Sequence, residues 1–296
     1  MKYFKHLTCA LSLCAVGLAA NAQDYKIGAS LLTQQHPFYV DLTDAMKAEA
    51  EKQNVDLKVS IANQDLNKQL ADIQDFITQD VDAIILSPVD SKGVGGALAR
   101  AKKAGIPVFT VDISADGSDV VSHVATDNYG GGEIAGDLMG QFLGGKGEVA
   151  VIHYPTVQSV IDRVDGFSKV LNEKYPDIEI VDIQPGITRP EALSATQNML
   201  QAHPDITGIF GFGDDAALAA TVAVNTAKKQ DQVKIIGFDG LEEARNAVDK
   251  EKAFVAVIRQ YPDKMGATAL NAAVDYLNGK EVEAYIPIVP GVYPEQ

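Results

Sequence analysis

Short apolar segments alternate with longer amphipathic segments along nearly the whole chain, and this alternation restricts the fold more than any other feature. Continuous apolar runs of this length are typical of strands buried on both faces of a parallel sheet. The predicted strands are residues 25–30, 55–62, 82–86, 106–112, 120–126, 147–154, 178–183, 206–213, 233–239 and 253–260. The predicted helices are residues 38–53, 66–79, 91–104, 127–142, 157–175, 190–202, 214–228, 241–249 and 263–278. Strands and helices in this order predict a doubly wound parallel α/β fold.

The number of predicted strands exceeds what one open sheet normally holds, and 296 residues favour two domains over one. We therefore predict two similar Rossmann-like domains, each a doubly wound parallel sheet. No flexible linker rich in Pro or Ser separates the two halves. The connections between the domains are accordingly predicted to be short strand-to-strand crossings that act as a hinge.

The first residues have the order of a secretory signal peptide. Lys2 and Lys5 provide a basic start, residues 7–20 form an apolar run, and the small residues Ala20-Asn-Ala22 follow it. The apolar run is too short to cross a bilayer as a helix. We predict that residues 1–22 are removed, that the mature chain begins at Gln23, and that the protein is secreted to the periplasm.

A lipoprotein anchor is the alternative interpretation of the same segment, because it contains both cysteines of the chain, Cys9 and Cys14. Thr8 and Leu13 precede them, where lipidation favours a small residue such as Gly or Ala. The lipoprotein interpretation is therefore disfavoured. The mature chain would contain no cysteine, and a chain of this length buries enough apolar surface to fold without disulfides.

Charge and motifs argue against several classes of function. The net charge of −15 disfavours nucleic acid or an anionic membrane as partner. The sequence has no G-x-S-x-G, no H-E-x-x-H, no P-loop and no G-x-G-x-x-G after its first strand. We predict a protein that is not an enzyme and that uses no cofactor or metal. The glycines of the segment 127–132 could cradle a phosphate, but we interpret them as a site of close helix packing.

Polar and aromatic residues collect where the predicted strands end, which is where open α/β sheets bind ligands. Carboxylates accept hydroxyl protons, Arg offers a fork of donors, and aromatic rings cover the C–H faces of a sugar. Each residue also has a simpler interpretation: the aromatic pair as core, Asp214 and Asp215 as helix caps, and Asp239 as a turn residue. The candidate binding residues are His36, Phe38, Tyr39, Asp112, Arg163, Gly213, Asp239, Arg259 and Gln260.

Several segments together resemble the ribose-binding-protein branch of the periplasmic sugar-binding proteins, over essentially the whole mature chain. The resemblance implies a type I periplasmic binding protein, a clam-shell whose chain crosses the hinge three times. The segments that carry it are Pro37-Phe38-Tyr39, Asp90-Ser91, Gly105 to Val108, Val121 to Asn128 with Gly131-Gly132, Ala202 to Asp205, Gly237 to Gly240, and Pro262-Asp263.

The hinge crossings implied by the resemblance fall near residues 125–127, 260–262 and 289–291. The first domain then comprises residues 23–126 and 261–289, and the second comprises residues 127–260 and 290–296. The family's sugar-contacting positions correspond to His36, Phe38, Tyr39, Asp112, Arg163, Asp239 and Gln260.

Departures from the ribose-binding pattern put ribose itself in doubt. Ile113 stands where ribose binders have Arg, Gly213 where they have Asn, and Ile187 where they have Phe. His36 replaces an Asn, and Arg259 is additional. A buried hydroxyl that loses its partner costs roughly 1–3 kcal/mol. We therefore predict a neutral monosaccharide other than ribose, either a hexose, a ketose or another pentose.

The predicted function is that of a monomeric receptor that delivers the sugar to the membrane permease of an ABC importer. The alternative is a sensory protein that presents a bound sugar or polyol to a chemoreceptor without transport. Both functions use the same fold and the same cleft, so the sequence leaves this choice open.

Overall fold

The computed structural model describes residues 25–295. Within them the strands are β1 (Lys26–Leu31), β2 (Asp56–Ile61), β3 (Ala83–Leu86), β4 (Val108–Val111), β5 (Ser122–Thr126), β6 (Lys146–His153), β7 (Asp177–Pro185), β8 (Ile206–Gly211), β9 (Lys234–Asp239), β10 (Phe254–Arg259), β11 (Tyr285–Ile288) and β12 (Gly291–Tyr293). The helices are α1 (Pro37–Gln53), α2 (Leu66–Thr78), α3 (Gly95–Lys103), α4 (Asn128–Leu143), α5 (Gln158–Lys174), α6 (Arg189–Ala202), α7 (Asp214–Thr226), α8 (Glu242–Lys250) and α9 (Pro262–Leu277). The predicted signal peptide lies outside the described residues.

The strands form two six-stranded sheets. The first has the order β2-β1-β3-β4-β5-β11, and the second has the matching order β7-β6-β8-β9-β10-β12. Neighbouring strands run parallel, with the exception of β12, which pairs antiparallel with β10. The prediction of two doubly wound α/β domains is confirmed.

Each sheet has an apolar core on both of its faces, which is why its strands are continuously apolar. In β3, for example, all four residues are fully buried. The first sheet is covered by α1 and α9 on one face and by α2 and α3 on the other. The second sheet is covered by α4 and α5 on one face and by α6, α7 and α8 on the other.

Two local features differ from the sequence prediction. Helix α3 begins four residues later than predicted, because the Asp90 carboxylate accepts the backbone N–H groups of Lys92 and Gly93 and holds this segment in a turn. No strand is predicted after the last helix, but the segment from residue 281 onward contains β11 and β12. Pro287 is tolerated in β11 because this strand forms the edge of its sheet.

The chain passes from one sheet to the other after β5, after β10 and after β11. These passages lie in the segments predicted for the hinge, while the domain boundaries and the hinge motion stay predictions. Because the two sheets share one strand order, β4 and β9 occupy matching positions. Among residues 25–295 no helix is both long and apolar enough to cross a membrane.

Candidate functional site

A cleft of about 580 Å³ separates the carboxyl ends of the two sheets. Its walls come from both domains, and its position follows from the rule that open α/β sheets bind ligands beyond the ends of their strands. Seven of the nine predicted binding residues line it: His36, Phe38, Tyr39, Asp112, Arg163, Asp239 and Gln260. Their contact with a ligand stays a prediction.

Two aspartates occupy matching positions on opposite walls of the cleft. Asp112 follows β4 directly, and Asp239 is the last residue of β9. Both have a left-handed backbone, with φ of 66° at Asp112 and 94° at Asp239. Such a conformation in a residue other than glycine costs about 1–3 kcal/mol and is concentrated at binding and catalytic sites. The two domains thus repeat the same strained strand end, and each presents a carboxylate to the cleft.

The carboxyl of Asp112 is paired with a tyrosine of its own domain. The Tyr39 hydroxyl donates a hydrogen bond of 2.5 Å to Asp112 Oδ2. The pKa of Asp112 is raised to about 6, mainly by burial and to a smaller extent by the nearby Asp239 carboxylate, while the Tyr39 hydrogen bond and the Arg163 charge oppose the rise. Burial and the Asp112 charge also raise the pKa of Tyr39 well above 10. Tyr39 therefore remains a neutral donor, and Asp112 titrates near neutral pH.

Arg163 is the buried cation of the site, with only 5% of its surface exposed. Its Nε donates to Asn128 Oδ1 at 2.8 Å, and its Nη1 donates to the Phe212 carbonyl at 2.8 Å and to Asp239 Oδ1 at 3.3 Å. The guanidinium lies over the ring of Phe238, 3.8 Å from the ring centre. Burial lowers the pKa of Arg163, and the charge of Asp239 opposes this effect. Because the pKa of Arg starts far above neutral, Arg163 stays charged and its fork is held in one orientation.

The Asp239 carboxylate accepts hydrogen bonds from three groups: Arg163 Nη1, Gln260 Nε2 and the backbone N–H of Asp214. Gln260 Nε2 donates to Asp239 Oδ1 at 2.6 Å, and the Thr126 hydroxyl donates to Gln260 Oε1 at 2.6 Å. Gln260 and Thr126 belong to two of the passages between the sheets, so the carboxylate is connected to the hinge by hydrogen bonds. The turn after Asp239 is fixed by the buried Asp214, whose carboxylate accepts the N–H groups of Gly240 and Leu241.

Aromatic pairs from both domains complete the walls. Phe38 and Tyr39 meet edge to face with ring centres 5.2 Å apart, and Tyr154 and Phe212 meet in the same way at 6.0 Å. Phe38 and Tyr39 are also part of the first domain's core, so the simpler interpretation of this pair holds beside the binding one. The buried Nδ1 of His36 has no hydrogen-bond partner within residues 25–295.

The site has the groups to hold a polar ligand that also has apolar faces. Carboxylate, guanidinium and amide groups recognise hydroxyls, while aromatic rings pack against C–H surfaces. In the described part of the chain, no cluster of three or more His, Cys, Asp or Glu residues is arranged to hold a metal ion.

Comparison with known proteins identifies the family to which this architecture belongs. The periplasmic binding protein domain matches residues 27–281. The chain belongs to the periplasmic binding protein family. The resemblance inferred from the sequence is thereby confirmed, and this periplasmic binding protein is of the type I, sugar-binding kind.

Relatives of this periplasmic binding protein match over most of their length. The ribose import binding protein of Salmonella typhimurium is 36% identical, with 97% of each chain covered. The xylitol-binding protein of Mycolicibacterium smegmatis is 31% identical over 92% of this chain and 78% of its own. The crystal structure of an ABC transporter periplasmic solute binding protein from Actinobacillus succinogenes with bound D-allose is 30% identical. It has a TM-score of 0.84 and covers 90% of this chain and 96% of its own. All three are described as binding proteins, and this periplasmic binding protein is likewise a binding protein and not an enzyme.

Two predicted residues of this periplasmic binding protein are not among those that line the cleft. Successive side chains of a strand point to opposite faces. Gln260 turns toward Asp239, whereas the guanidinium of Arg259 lies over the ring of Tyr261, 5.0 Å from its centre. Gly213 is the N-cap of α7, and a side chain there would begin 3.1 Å from Asp239 Oδ2. Glycine at position 213 thus avoids a tight contact with the Asp239 carboxylate, and Arg259 packs on Tyr261 instead of approaching this position.

Several residues that line the cleft were missed by the sequence prediction. Tyr154 and Phe212 directly follow β6 and β8, so the rule that located Asp112 would have found them had it been applied to every strand. Asn128, which accepts a hydrogen bond from Arg163 but does not line the cleft, was also not among the predicted binding residues. The bond from Arg163 to Asn128 joins two helices, and no local sequence pattern signals it. The other missed lining residues are Leu32, Thr33, Gln64, Val89, Val157, Ser159, Val160 and Thr188.

Proposed function

We propose that this protein is the periplasmic receptor of an ABC importer and captures a neutral monosaccharide between its two domains. The observation that carries the proposal is that carboxylates from matching strand ends of both sheets face one cleft, between aromatic pairs from both sheets. A ligand that binds Asp112 and Asp239 together bridges the domains. It therefore favours a closed arrangement, since a ligand shifts a conformational equilibrium toward the state to which it binds more tightly. The closed form is the one expected to engage the permease.

A neutral ligand fits the charges of the cleft. Arg163, the buried cation of the cleft, is paired with Asp239 and leaves the Asp112 carboxylate without an ion pair, so an anionic ligand would add to an uncompensated negative charge. The relatives support a ligand of this kind, because they are described as binding ribose, D-allose and xylitol. The predicted preference for a sugar other than ribose rests on Ile113, which lines the cleft where ribose binders have Arg. It rests also on Gly213, which has no side-chain amide where ribose binders have Asn.

Membership of the periplasmic binding protein family supports a periplasmic location for this protein. Export by cleavage after residue 22 stays a prediction, as do the monomeric state and the alternative role with a chemoreceptor.

The proposal is tested by thermal unfolding of the purified mature protein against pentoses, hexoses, ketoses, polyols and sugar acids. A ligand present at 100 times its dissociation constant stabilises the folded state by about 2.7 kcal/mol. We expect such stabilisation from at least one neutral sugar, with weaker or no effect from ribose and sugar acids. Calorimetry of the stabilising compounds then ranks their affinities. Absence of stabilisation by every neutral sugar and polyol would contradict the proposal, and ribose as the tightest ligand would contradict the predicted specificity.

Sugar affinity is expected to depend on pH through Asp112. Below its pKa of about 6 the carboxyl is protonated and loses acceptor capacity for a ligand hydroxyl. Because the ionised form of Asp112 is the one expected to bind the sugar, the dissociation constant should be about tenfold larger at pH 5 than at pH 7.5. The free energy of unfolding of the ligand-free protein depends on pH with the opposite sign. Because the pKa of Asp112 rises on folding, this carboxyl stabilises the fold at low pH, and its contribution is lost as the pH rises through about 6.

Calorimetry between pH 5 and 8 measures this dependence, and two variants assign it. Asp112→Asn should remove the pH dependence. Tyr39→Phe should move the midpoint to higher pH, because it removes a hydrogen bond that lowers the pKa of Asp112. An unchanged pH profile in Asp112→Asn would show that another group is responsible.

A further inference from the structure

The cleft contains an apolar surface that the hydroxyl-binding groups do not explain. Four aliphatic side chains follow strands β3, β4, β6 and β7 and line it: Val89, Ile113, Val157 and Ile187. None of the four is buried, and Ile187 is 44% exposed. Aliphatic side chains in a polar cleft stabilise the bound or closed state only when a ligand or a closing domain removes them from water.

The charged and amide groups around Asp239 already use part of their hydrogen-bonding capacity within the protein. Gln260 uses both ends of its amide, one on Asp239 and one on Thr126. Arg163 uses Nε and Nη1 within the protein, which leaves Nη2. Asp112 uses Oδ2, which leaves Oδ1, and Asp239 Oδ2 accepts one long bond of 3.4 Å from the Asp214 N–H. These free atoms belong to Arg163, Asp112 and Asp239, and the buried His36 Nδ1 also has no hydrogen-bond partner within residues 25–295, so ligand hydroxyls are expected at these groups.

Ile113 and Val157 lie at one end of the cleft and belong to opposite domains. Both also line a second cavity of about 320 Å³, which lies beside the β5–α4 hinge passage and shares Asp112 and Ser159 with the cleft. The two aliphatic side chains therefore stand where the cleft meets this hinge-side cavity. A ligand hydroxyl placed between them would meet no donor or acceptor from either residue.

We propose that the ligand carries an apolar group, a deoxygenated carbon or a methyl substituent, that packs between Ile113 and Val157. The ligand class is thus a deoxy or methyl-bearing sugar, held by its hydroxyls at Asp112, Asp239 and Arg163 and by its apolar group at the hinge-side end of the cleft. This inference rests on the proposed sugar-binding function and narrows its ligand.

The test compares matched sugars that differ in one hydroxyl. Calorimetry on the mature protein is performed with L-rhamnose and L-mannose, L-fucose and L-galactose, D-quinovose and D-glucose, and 2-deoxy-D-ribose and D-ribose. In at least one pair the deoxy member is expected to bind roughly 10- to 100-fold more tightly, because a desolvated hydroxyl without a partner is penalised. Binding of every hydroxylated member at least as tightly as its deoxy partner overturns this inference alone. Failure of all eight sugars to bind, with another sugar of the thermal-unfolding panel bound, also overturns this inference alone, whereas absence of stabilisation by every sugar and polyol of that panel overturns the sugar-binding function as well.

Two variants locate the apolar group. Ile113→Thr places a hydroxyl at the proposed contact and should reduce the preference for the deoxy member at least fivefold. Ile183→Thr makes the same change at an exposed position of β7 that is not among the residues lining the cleft, and it should leave the preference unchanged. Equal ratios in wild type and Ile113→Thr would overturn the assignment to Ile113.

Discussion

Replacing Asp239 with Asn is expected to weaken sugar binding by roughly 2–5 kcal/mol, which corresponds to a factor of about 30 to several thousand in the dissociation constant. The substitution removes the charge that pairs with the buried Arg163 and replaces a ligand acceptor by an amide. Asn is among the residues that adopt a left-handed backbone most readily, so the φ of 94° at this position can be kept. The expected loss is therefore one of affinity, measured by calorimetry with the best ligand of the sugar panel.

Asp231→Asn is the matched control for this experiment. Asp231 lies in an exposed ion pair with Lys252, and its side chain is 74% exposed. Pairs of this kind contribute at most about 1 kcal/mol to stability, and this one does not line the cleft. Circular dichroism and thermal unfolding of both variants separate loss of binding from loss of folding. A folded Asp239→Asn variant that binds within twofold of the wild type would show that the cleft assignment is wrong.

The fold could be predicted because local sequence patterns indicate the alternation of strands and helices. Each buried strand is an apolar run, and each helix repeats its apolar positions at helical spacing. Strands β11 and β12 escaped prediction because they are short, lie at sheet edges, and form only after distant segments supply partners. β11 pairs with β5 and β12 with β10, so the pairing depends on tertiary contact and not on the sequence of the segment itself.

The candidate site could be predicted in outline from the positions of the strand ends. The sequence did not reveal the direction of each side chain or its distant hydrogen-bond partners. A position at the end of a strand indicates where a residue lies, but it does not indicate in which direction the side chain of that residue points. Arg259 and Gln260 are adjacent, and the bond to Asp239 belongs to Gln260 alone. The hydrogen bond from Tyr39 to Asp112 joins residues 73 positions apart. Such a bond sets which carboxylate oxygen remains for a ligand, and no single segment of the sequence contains that information.

Gly132 supplies the second prediction of large effect, one that concerns stability. The sequence prediction that glycines near residue 132 permit close helix packing agrees with the contact between α4 and α5. A Cβ added to Gly132 would lie 2.1 Å from the backbone oxygen of Arg163. In return, a Cβ on Gly166 would lie 2.2 Å from the backbone oxygen of Tyr129. The two helix backbones therefore touch at glycines from both sides, and this contact sets the position of the helix that carries Arg163.

Gly132→Ala is accordingly expected to lower the free energy of unfolding by about 3 kcal/mol, at the upper end for overpacking, since a backbone atom cannot rotate away as a side chain can. Urea unfolding measures the change. The control is Gly96→Ala in α3, where a Cβ meets no atom within 4 Å. Removal of a glycine there should raise the free energy of unfolding by roughly 0.5–1 kcal/mol, because alanine loses less backbone entropy. The two substitutions are chemically identical and are expected to have opposite signs. If Gly132→Ala proved as stable as the wild type, the helices would have room to separate, and Arg163 would owe its position to its hydrogen bonds alone.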